Sequence, residues 1–125
     1  MRTVESIAII GAGNMGSGIA QKSAQELYDV QMVDREAQWV ERGQKIIADF
    51  LAEAIERRIF RPAEVDAIKS RVRSVVGTEN VDPTTDLVIE AVFEDFDVKT
   101  AVFATLDEVC DEHTILASRS EEHTV

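Results

Sequence analysis

The chain has 125 residues, 24 of them acidic and 13 basic, for a formal net charge of −11, and 45% of its residues are apolar. That is one domain's worth of chain, able to bury roughly two-thirds of its unfolded surface without disulfides or a metal. No apolar run approaches the ~20 residues of a membrane span, and Arg2 leads almost at once into a short apolar run that fits neither a signal nor a transit peptide, so a cytoplasmic location is expected. The lone Cys110 excludes an internal disulfide framework and a multi-cysteine zinc site, and no metal site is expected; Asp111-Glu112 and Glu121-Glu122 read as solvated charge. The acidity is uneven, with 8 basic and 9 acidic residues over 1–62 but 5 and 15 over 63–125. Nucleic acid and anionic membrane are therefore poor partners, because a phosphate-rich surface would meet mainly like charge. A small anion held by backbone N–H groups remains compatible.

In chain order, Ser6 to Ile10 is an almost wholly apolar run ending at a glycine cluster, the pattern of a strand buried on both faces of a parallel sheet. Asn14 to Leu27 follows as a helix, with Met15, Ile19, Ser23 and Leu27 marking its apolar face, and Val30 to Val33, closing at Asp34, completes a βαβ unit. Glu36 to Phe60 is helical, with a stripe of Trp39, Ile46, Phe50 and Ile55, and Trp39 is read as packing. Pro62 suits the first turn of a further helix, Ala63 to about Arg71, with Glu64 and Asp66 near its positive end. Residues 36–71 thus form a protruding helical hairpin within the second crossover. Val72 to Val76, Leu87 to Val92 and Thr114 to Ser118 read as the remaining strands, and Asp97 to Cys110 as a helix. This alternation implies an α/β fold, a doubly wound parallel sheet. Cys110 is expected to be a packed small residue, and His113, ahead of the fifth strand, a surface histidine on the sheet edge opposite any cofactor.

Gly11-Ala12-Gly13-Asn14-Met15-Gly16 fits G-x-G-x-x-G between a predicted strand and helix, and Asp34 ends the next strand eighteen residues after Gly16. Gly11 allows the tight turn, Gly13 lets a pyrophosphate approach the backbone, and Gly16 lets the helix pack close to the sheet. That context makes the fold Rossmann-type and the ligand a dinucleotide. A carboxylate at Asp34 can accept both adenosine ribose hydroxyls and repels a 2′-phosphate, so NAD is favoured. Arg35 is the contrary indication, since an adjacent guanidinium can accommodate that phosphate; it is read as a solvated loop arginine.

With these residues in view the chain resembles the NAD-binding domain of the 3-hydroxyacyl-CoA dehydrogenases. The resemblance runs from about Val4 to Ser118. It rests on the segment from Ile9 to Gln21, on Val33-Asp34-Arg35, on the block Asp86 to Asp95 (Asp-Leu-Val-Ile-Glu-Ala-Val-Phe-Glu-Asp), and on Ile115 to Ser118. It implies that Gly11, Ala12, Gly13, Asn14, Met15 and Gly16 hold the pyrophosphate, that Asp34 holds the ribose, and that Glu94 and Lys99 contact NAD. Without the family Lys99 reads equally as a surface lysine. In the hairpin, Arg57 takes the place of a basic CoA contact, with Arg58 and Arg61 beside it; by their spacing alone they read as a solvated helix face. A serine that contacts CoA in the family is Phe50 here. The family's activity is hydride transfer from a 3-hydroxyacyl-CoA to NAD in fatty acid metabolism, and acyl-CoA is the implied substrate.

After Ser118 the family continues Asn-Thr-Ser-Ser and later supplies a catalytic histidine paired with a glutamate. This chain reads Arg119-Ser120-Glu121-Glu122-His123-Thr124-Val125, so no catalytic residue is assigned within it. Arg-Ser-Glu-Glu-His-Thr is the translation of AGA TCG GAA GAG CAC ACG, the start of a widely used sequencing adapter, although Val125 does not fit the next codon. Residues 1–118 are therefore expected to be an NAD-binding domain truncated after its fifth strand, and 119–125 a non-native tail. Such a fragment should bind NAD and turn over little or nothing, with a homodimer expected only when the C-terminal domain of the family is present. Two other readings stay open: a β-hydroxyacid dehydrogenase of the 3-hydroxyisobutyrate type, which shares Gly-Asn-Met-Gly, and a non-catalytic NAD-binding module.

Overall fold

The apolar residues of the first strand divide between two cores. Ile7 and Ile9 enter one and Ala8 and Ile10 the other, because successive side chains of a strand point to opposite faces. In the computed structural model, which describes residues 3–91 and 96–118, the elements are β1 (Ser6–Ile10), α1 (Asn14–Gln25), β2 (Asp29–Asp34), α2 (Ala37–Glu56), α3 (Pro62–Ser70), β3 (Val72–Val76), a 3₁₀ turn (Thr78–Asn80), β4 (Leu87–Glu90), α4 (Phe96–Val109) and β5 (Ile115–Ser118). The strands form one parallel sheet in the order β3-β2-β1-β4-β5, with Ile9 of central β1 in register with Met32 and Ile89. Helices α1, α2 and α3 pack on one face through Ala20, Ala24, Ile47, Leu51, Val65 and Ile68. Leu106 of α4 and Val81 cover Val33, Val75 and Val88 on the other. Two helical layers around a parallel sheet are the doubly wound architecture expected.

The helix faces differ from expectation. Met15 and Leu27 are 53% and 73% exposed, and α1 instead buries Gly16, Ser17, Ala20, Gln21 and Ala24. Small residues win there because α1 lies too close to the sheet for long side chains: a methyl group at Gly16 would collide with the carbonyl oxygen of Gly11. Leu27 is not helical at all. It adopts φ 75° in a Schellman cap, Leu27 N–H donating to Ala24 O and Tyr28 N–H to Ser23 O, each at 3.1 Å. On α2 the buried face is Val40, Gly43, Ile47, Leu51 and Ala54, so the expected stripe of Trp39, Ile46 and Phe50 lies on the flank. The hairpin formed by α2 and α3 is anchored along its length by Leu51, Val65 and Ile68, and its exposed tip is Arg57 to Ile59. Arg58 (φ 59°) forms the second Schellman cap, with Ile59 N–H donating to Ala54 O at 2.8 Å, which ends α2 before Phe60. Pro62 occupies the first turn of α3, and the Glu64 carboxylate accepts from Arg61 N–H at 2.9 Å. β4 ends at Glu90 rather than Val92; residues 92–95 lie outside the described residues.

His113 sits at the amino-terminal edge of the sheet, as expected, but it is not a surface residue. Its side chain is 17% exposed, with Nε2 3.2 Å from Asp86 Oδ1 and 3.3 Å from Thr84 O. Asp86 is the hub of this edge: Oδ2 accepts from Glu5 N–H (2.9 Å), Ser6 N–H (3.1 Å) and Ser6 Oγ (3.3 Å), which tie the start of β1 to β4. These backbone donors, with Ser6 Oγ and His113, hold the Asp86 carboxyl below its ordinary value of 3.8.

Two outcomes follow. Gly16→Ala should cost at least about 3 kcal/mol in urea unfolding, since backbone must move to admit the methyl; a cost below about 1 kcal/mol would contradict the close approach. Because folding lowers the Asp86 pKa, its contribution is fully present above the unfolded value near 3.8 and is lost as pH falls through the lower folded value. Asp86→Asn should therefore melt below the parent at pH 7, and the gap should close as the pH is taken below 3. A constant gap across that range would sink the assignment.

Candidate dinucleotide site

β1 connects to β2 on one side, and β4 lies on its other side, so the carboxyl ends of β1 and β4 flank the switch point of the sheet. Ligands of doubly wound sheets bind in that crevice. A cavity of about 530 Å³ opens there, lined by Ile10, Gly11, Ala12 and Gly13 after β1, by Asp34 and Arg35 after β2, by Trp39 and Arg42 of α2, by Thr78, and by Val98 and Val102 of α4. Its size is that of a small-molecule site.

The loop that forms its floor is held from several directions. Gly11 turns at φ 117° and donates its N–H to Val33 O at 2.7 Å, which fastens the turn to the end of β2. Asp34 then grips the same loop, Oδ2 accepting from Ala12 N–H at 3.0 Å while Oδ1 accepts from Arg35 N–H at 2.8 Å. Each carboxylate oxygen keeps a further lone pair for a ligand hydroxyl. On the outer side, α2 lies against the loop at Gly43, where a Cβ would come within 2.8 Å of Ala12 O and Met32 Cε. Gly13 differs from these. A Cβ there would meet no protein atom within 4 Å, and its φ of −75° suits any residue, so neither packing nor backbone geometry requires glycine. What a side chain would fill is open space at the N-terminus of α1. The first N–H groups of that helix have no intrahelical acceptor, and Gly13 as N-cap offers them no side chain. A diphosphate suits this cradle in shape and charge.

The expected site residues separate accordingly. Gly11, Ala12, Gly13 and Asp34 share the cavity; Gly16 lies beneath the loop as a packing residue; Asn14 and Met15 open onto a shallow groove along the outer side of α1 with Ile19, Lys22 and Tyr28. Lys99 is not a surface lysine. Its ammonium lies 3.6 Å from Glu90 Oε1, with side chains 14% and 2% exposed, which places an ion pair at the carboxyl end of β4, next to Ile10 in register. Glu94 lies outside the described residues. Arg57, Arg58 and Arg61 are exposed and outside the cavity, and Arg57 pairs with Glu53 at 2.8 Å on the helix surface. Such a surface pair adds well under about 1 kcal/mol and leaves the arginine available. Phe50, 58% exposed, lies two turns before Arg57 on the same helical face. Cys110 packs partly buried against the α4 core, and burial pushes its thiol pKa up, away from the thiolate that a nucleophile needs.

Sequence reasoning missed Arg42, Gly43, Glu90 and Thr78, and it took Trp39 for packing although it lines the cavity. Gly43 carried a signal, being a glycine inside a helical pattern, which marks either a weak helix or a close approach. Glu90 carried one too, as a charge at the end of an apolar strand.

Comparison with known proteins agrees with this geometry. The family model described as "3-hydroxyacyl-CoA dehydrogenase, NAD binding domain" matches residues 6–125. The 3-hydroxybutyryl-CoA dehydrogenase of Clostridioides difficile is 34% identical over 119 residues, covering 95% of this chain and 42% of the relative. The mitochondrial hydroxyacyl-coenzyme A dehydrogenase of Sus scrofa is 33% identical over 122 residues, covering 94% and 39%. The crystal structure of (S)-3-hydroxybutyryl-CoA dehydrogenase from Ralstonia eutropha superposes with a TM-score of 0.87 at 31% identity, covering 93% of this chain and 41% of that one. The chain thus spans about two-fifths of the length of these relatives. It belongs to the 3-hydroxyacyl-CoA dehydrogenase family and corresponds to its NAD-binding domain.

Proposed function

We propose that this domain holds NAD across the carboxyl edge of its sheet, with Gly11, Ala12, Gly13 and the N-terminus of α1 (Asn14, Met15, Gly16) at the pyrophosphate and Asp34 at the adenosine ribose. Glu94 and Lys99 serve the half of the cofactor nearer β4. The observation that carries this reading is Gly13, a glycine whose missing side chain answers to nothing in the protein but would fill the cavity. Bound NAD supplies the hydride acceptor. The chain's own residues orient it: Asp34 fixes the ribose while tied to the loop at Ala12, and buried Glu90 holds the Lys99 ammonium beside the end of β1.

The whole protein then oxidises a 3-hydroxyacyl-CoA to the 3-ketoacyl-CoA in fatty acid metabolism, with the catalytic histidine and glutamate supplied outside these 125 residues and a homodimer formed through the C-terminal domain. Arg57, Arg58 and Arg61 at the hairpin tip offer the phosphates of CoA charge-assisted hydrogen bonds. Phe50 replaces a hydroxyl by an aromatic surface at the neighbouring contact. No described helix is long and apolar enough to cross a membrane, and a cytoplasmic location is part of the proposal. So is the non-native origin of residues 119–125, which lie outside the described residues but for which resequencing the gene beyond codon 118 should return the family's Asn-Thr-Ser-Ser. The 3-hydroxyisobutyrate-type alternative is not favoured by the family match.

Calorimetric titration of the chain with NAD and with acetoacetyl-CoA, separately, tests the two ligand readings. NAD should bind one to one, and Gly13→Val should abolish that binding while leaving the melting temperature within a few degrees. Arg57→Ala with Arg61→Ala should weaken acetoacetyl-CoA several-fold and leave NAD untouched. Unchanged NAD affinity in Gly13→Val would refute the cradle, and no heat with acetoacetyl-CoA would remove the hairpin from the substrate site.

A further inference from the structure

One ion pair at the carboxyl edge of the sheet differs in kind from the other lysine and arginine pairs of the described residues. Lys22 with Glu26, Lys45 with Asp49 and Arg57 with Glu53 each join residues four apart on one helix, with side chains more than half exposed. Lys99 and Glu90 instead join α4 to β4 at 3.6 Å, with side chains 14% and 2% exposed. Among the described residues Glu90 is the only buried ionisable side chain. A carboxylate at that depth is costly unless a cation offsets it, and removing either partner leaves the other charge uncompensated.

The pair has a fixed place relative to the cavity. Glu90 is in register with Ile10, and the N–H of the following Ala91 donates to Ile10 O at 2.8 Å. Ile10 lines the cavity, and so does Val98, the residue before Lys99. The pair therefore lies beside the cavity on the β4 side of the switch point, whereas Asp34 ends β2 on the other side of β1. A dinucleotide straddles that point with one mononucleotide half on each side. With adenosine at Asp34, the nicotinamide half falls on the side of Glu90 and Lys99.

The two redox forms of that half differ by one unit of charge: the oxidised ring is positive, and accepting a hydride leaves it neutral. A lone ammonium near the ring would repel the oxidised form and spare the reduced one. At an effective dielectric of about 20, a unit charge ~10 Å away is worth roughly tenfold in affinity, and burial limits its screening by salt. Glu90 supplies the cancelling charge from a position that solvent scarcely reaches. We propose that Glu90, by neutralising Lys99 beside the ring, sets the relative affinity of the domain for oxidised and reduced nicotinamide. Acting through Lys99, it is a positioning residue whose contribution is electrostatic. The proposal rests on the reading that NAD lies across this edge with its adenosine at Asp34.

Calorimetric titration of the full chain with NAD, NADH and 5′-ADP at about pH 8 tests this without any turnover. In Glu90→Gln the ammonium loses its counter-charge, and the ratio of NADH affinity to NAD affinity should rise at least fivefold over the parent. Lys99→Met removes the opposite charge, from the more exposed partner, and the ratio should fall at least fivefold. The double variant should return to within twofold of the parent ratio. Because 5′-ADP lacks the nicotinamide half, it should bind the parent and every variant within threefold, and it reports on folding. Should Glu90→Gln fail to fold, Lys99→Met against the parent still decides. A ratio that stays at the parent value, including equal losses of NAD and NADH, overturns the proposal while leaving the NAD reading intact, because the pair would then only brace α4 against β4. A parent chain that binds neither dinucleotide overturns both readings.

Discussion

The approach of the first helix to the first strand is the constraint on which the site depends. Gly16 rests on the carbonyl of Gly11, a distance no side chain allows, and this brings the positive end of α1 directly over the end of β1. The loop between them is fastened on every side: beneath by Gly16, laterally by the bonds of Gly11 to Val33 and of Ala12 to Asp34, and outside by Gly43 of α2. Such a loop is ordered by the protein itself, so a ligand meets donors already aimed, and little binding energy goes to arranging them. Asp34 has a double duty in this scheme. The carboxylate proposed to meet the ribose is also a strut of the glycine loop, which couples the two ends of the candidate adenosine site.

The two edges of the sheet use their polar groups in opposite ways. At the amino-terminal edge, Asp86 takes Glu5, Ser6 and His113, and Gln31 spans Thr85 Oγ1 and Asp82 N–H, both at 2.8 Å. Asp82 is in turn held below its usual carboxylate range by the N–H and hydroxyl of Thr84. These groups are satisfied by one another and bind the strands together. At the carboxyl edge, the first N–H groups of α1 and the guanidiniums of Arg35 and Arg42 are left to face the cavity. Stability is concentrated at one end of the parallel strands and binding capacity at the other, as the common direction of the strands and the helix dipoles favours.

Much of this was legible from residue order. Ser6–Ile10 begins and ends where its apolar run does, because a strand buried on both faces needs an unbroken run, and the edge strand Val72–Val76 keeps its expected bounds although Arg73 and Ser74 are exposed. The glycine turn and Asp34 were legible because a glycine cluster after a buried strand and a carboxylate ending the next one stand out in sequence, and the fold brings them to one cavity. The helix faces were not. Size is a poor guide when a helix must lie close to a sheet: Gly16, Ala20 and Ala24 go inside, and Met15 stays out. Helix ends failed where the left-handed cap falls on Leu27 and Arg58 instead of glycine, a choice made by tertiary contacts. Arg42 and Glu90 escaped notice because a charge on a helix or at a strand end is ordinary; only the fold shows which charges converge.

That convergence gives the second helix a role beyond cover. Trp39, Ile46, Phe50 and Arg57 fall at spacings of seven, four and seven, and so on one side of α2, while Val40, Ile47, Leu51 and Ala54 fix the helix to the core about a quarter turn away. Trp39 and Arg42 look onto the cavity at one end of this side, and the arginine tip stands at the other, fifteen residues or roughly 22 Å beyond Arg42 at 1.5 Å per residue. A single rigid element therefore spaces the charge that lines the candidate cofactor cavity from those proposed for the acyl-CoA. Gly43 sets its distance from the glycine loop, and the burial of Ile47 and Leu51 sets its rotation. A change in either would move the cavity and the arginine tip together. In the proposed hydride transfer, cofactor and substrate must keep a fixed relation within fractions of an ångström, and one helix carrying the proposed contacts to both is a direct way to impose it.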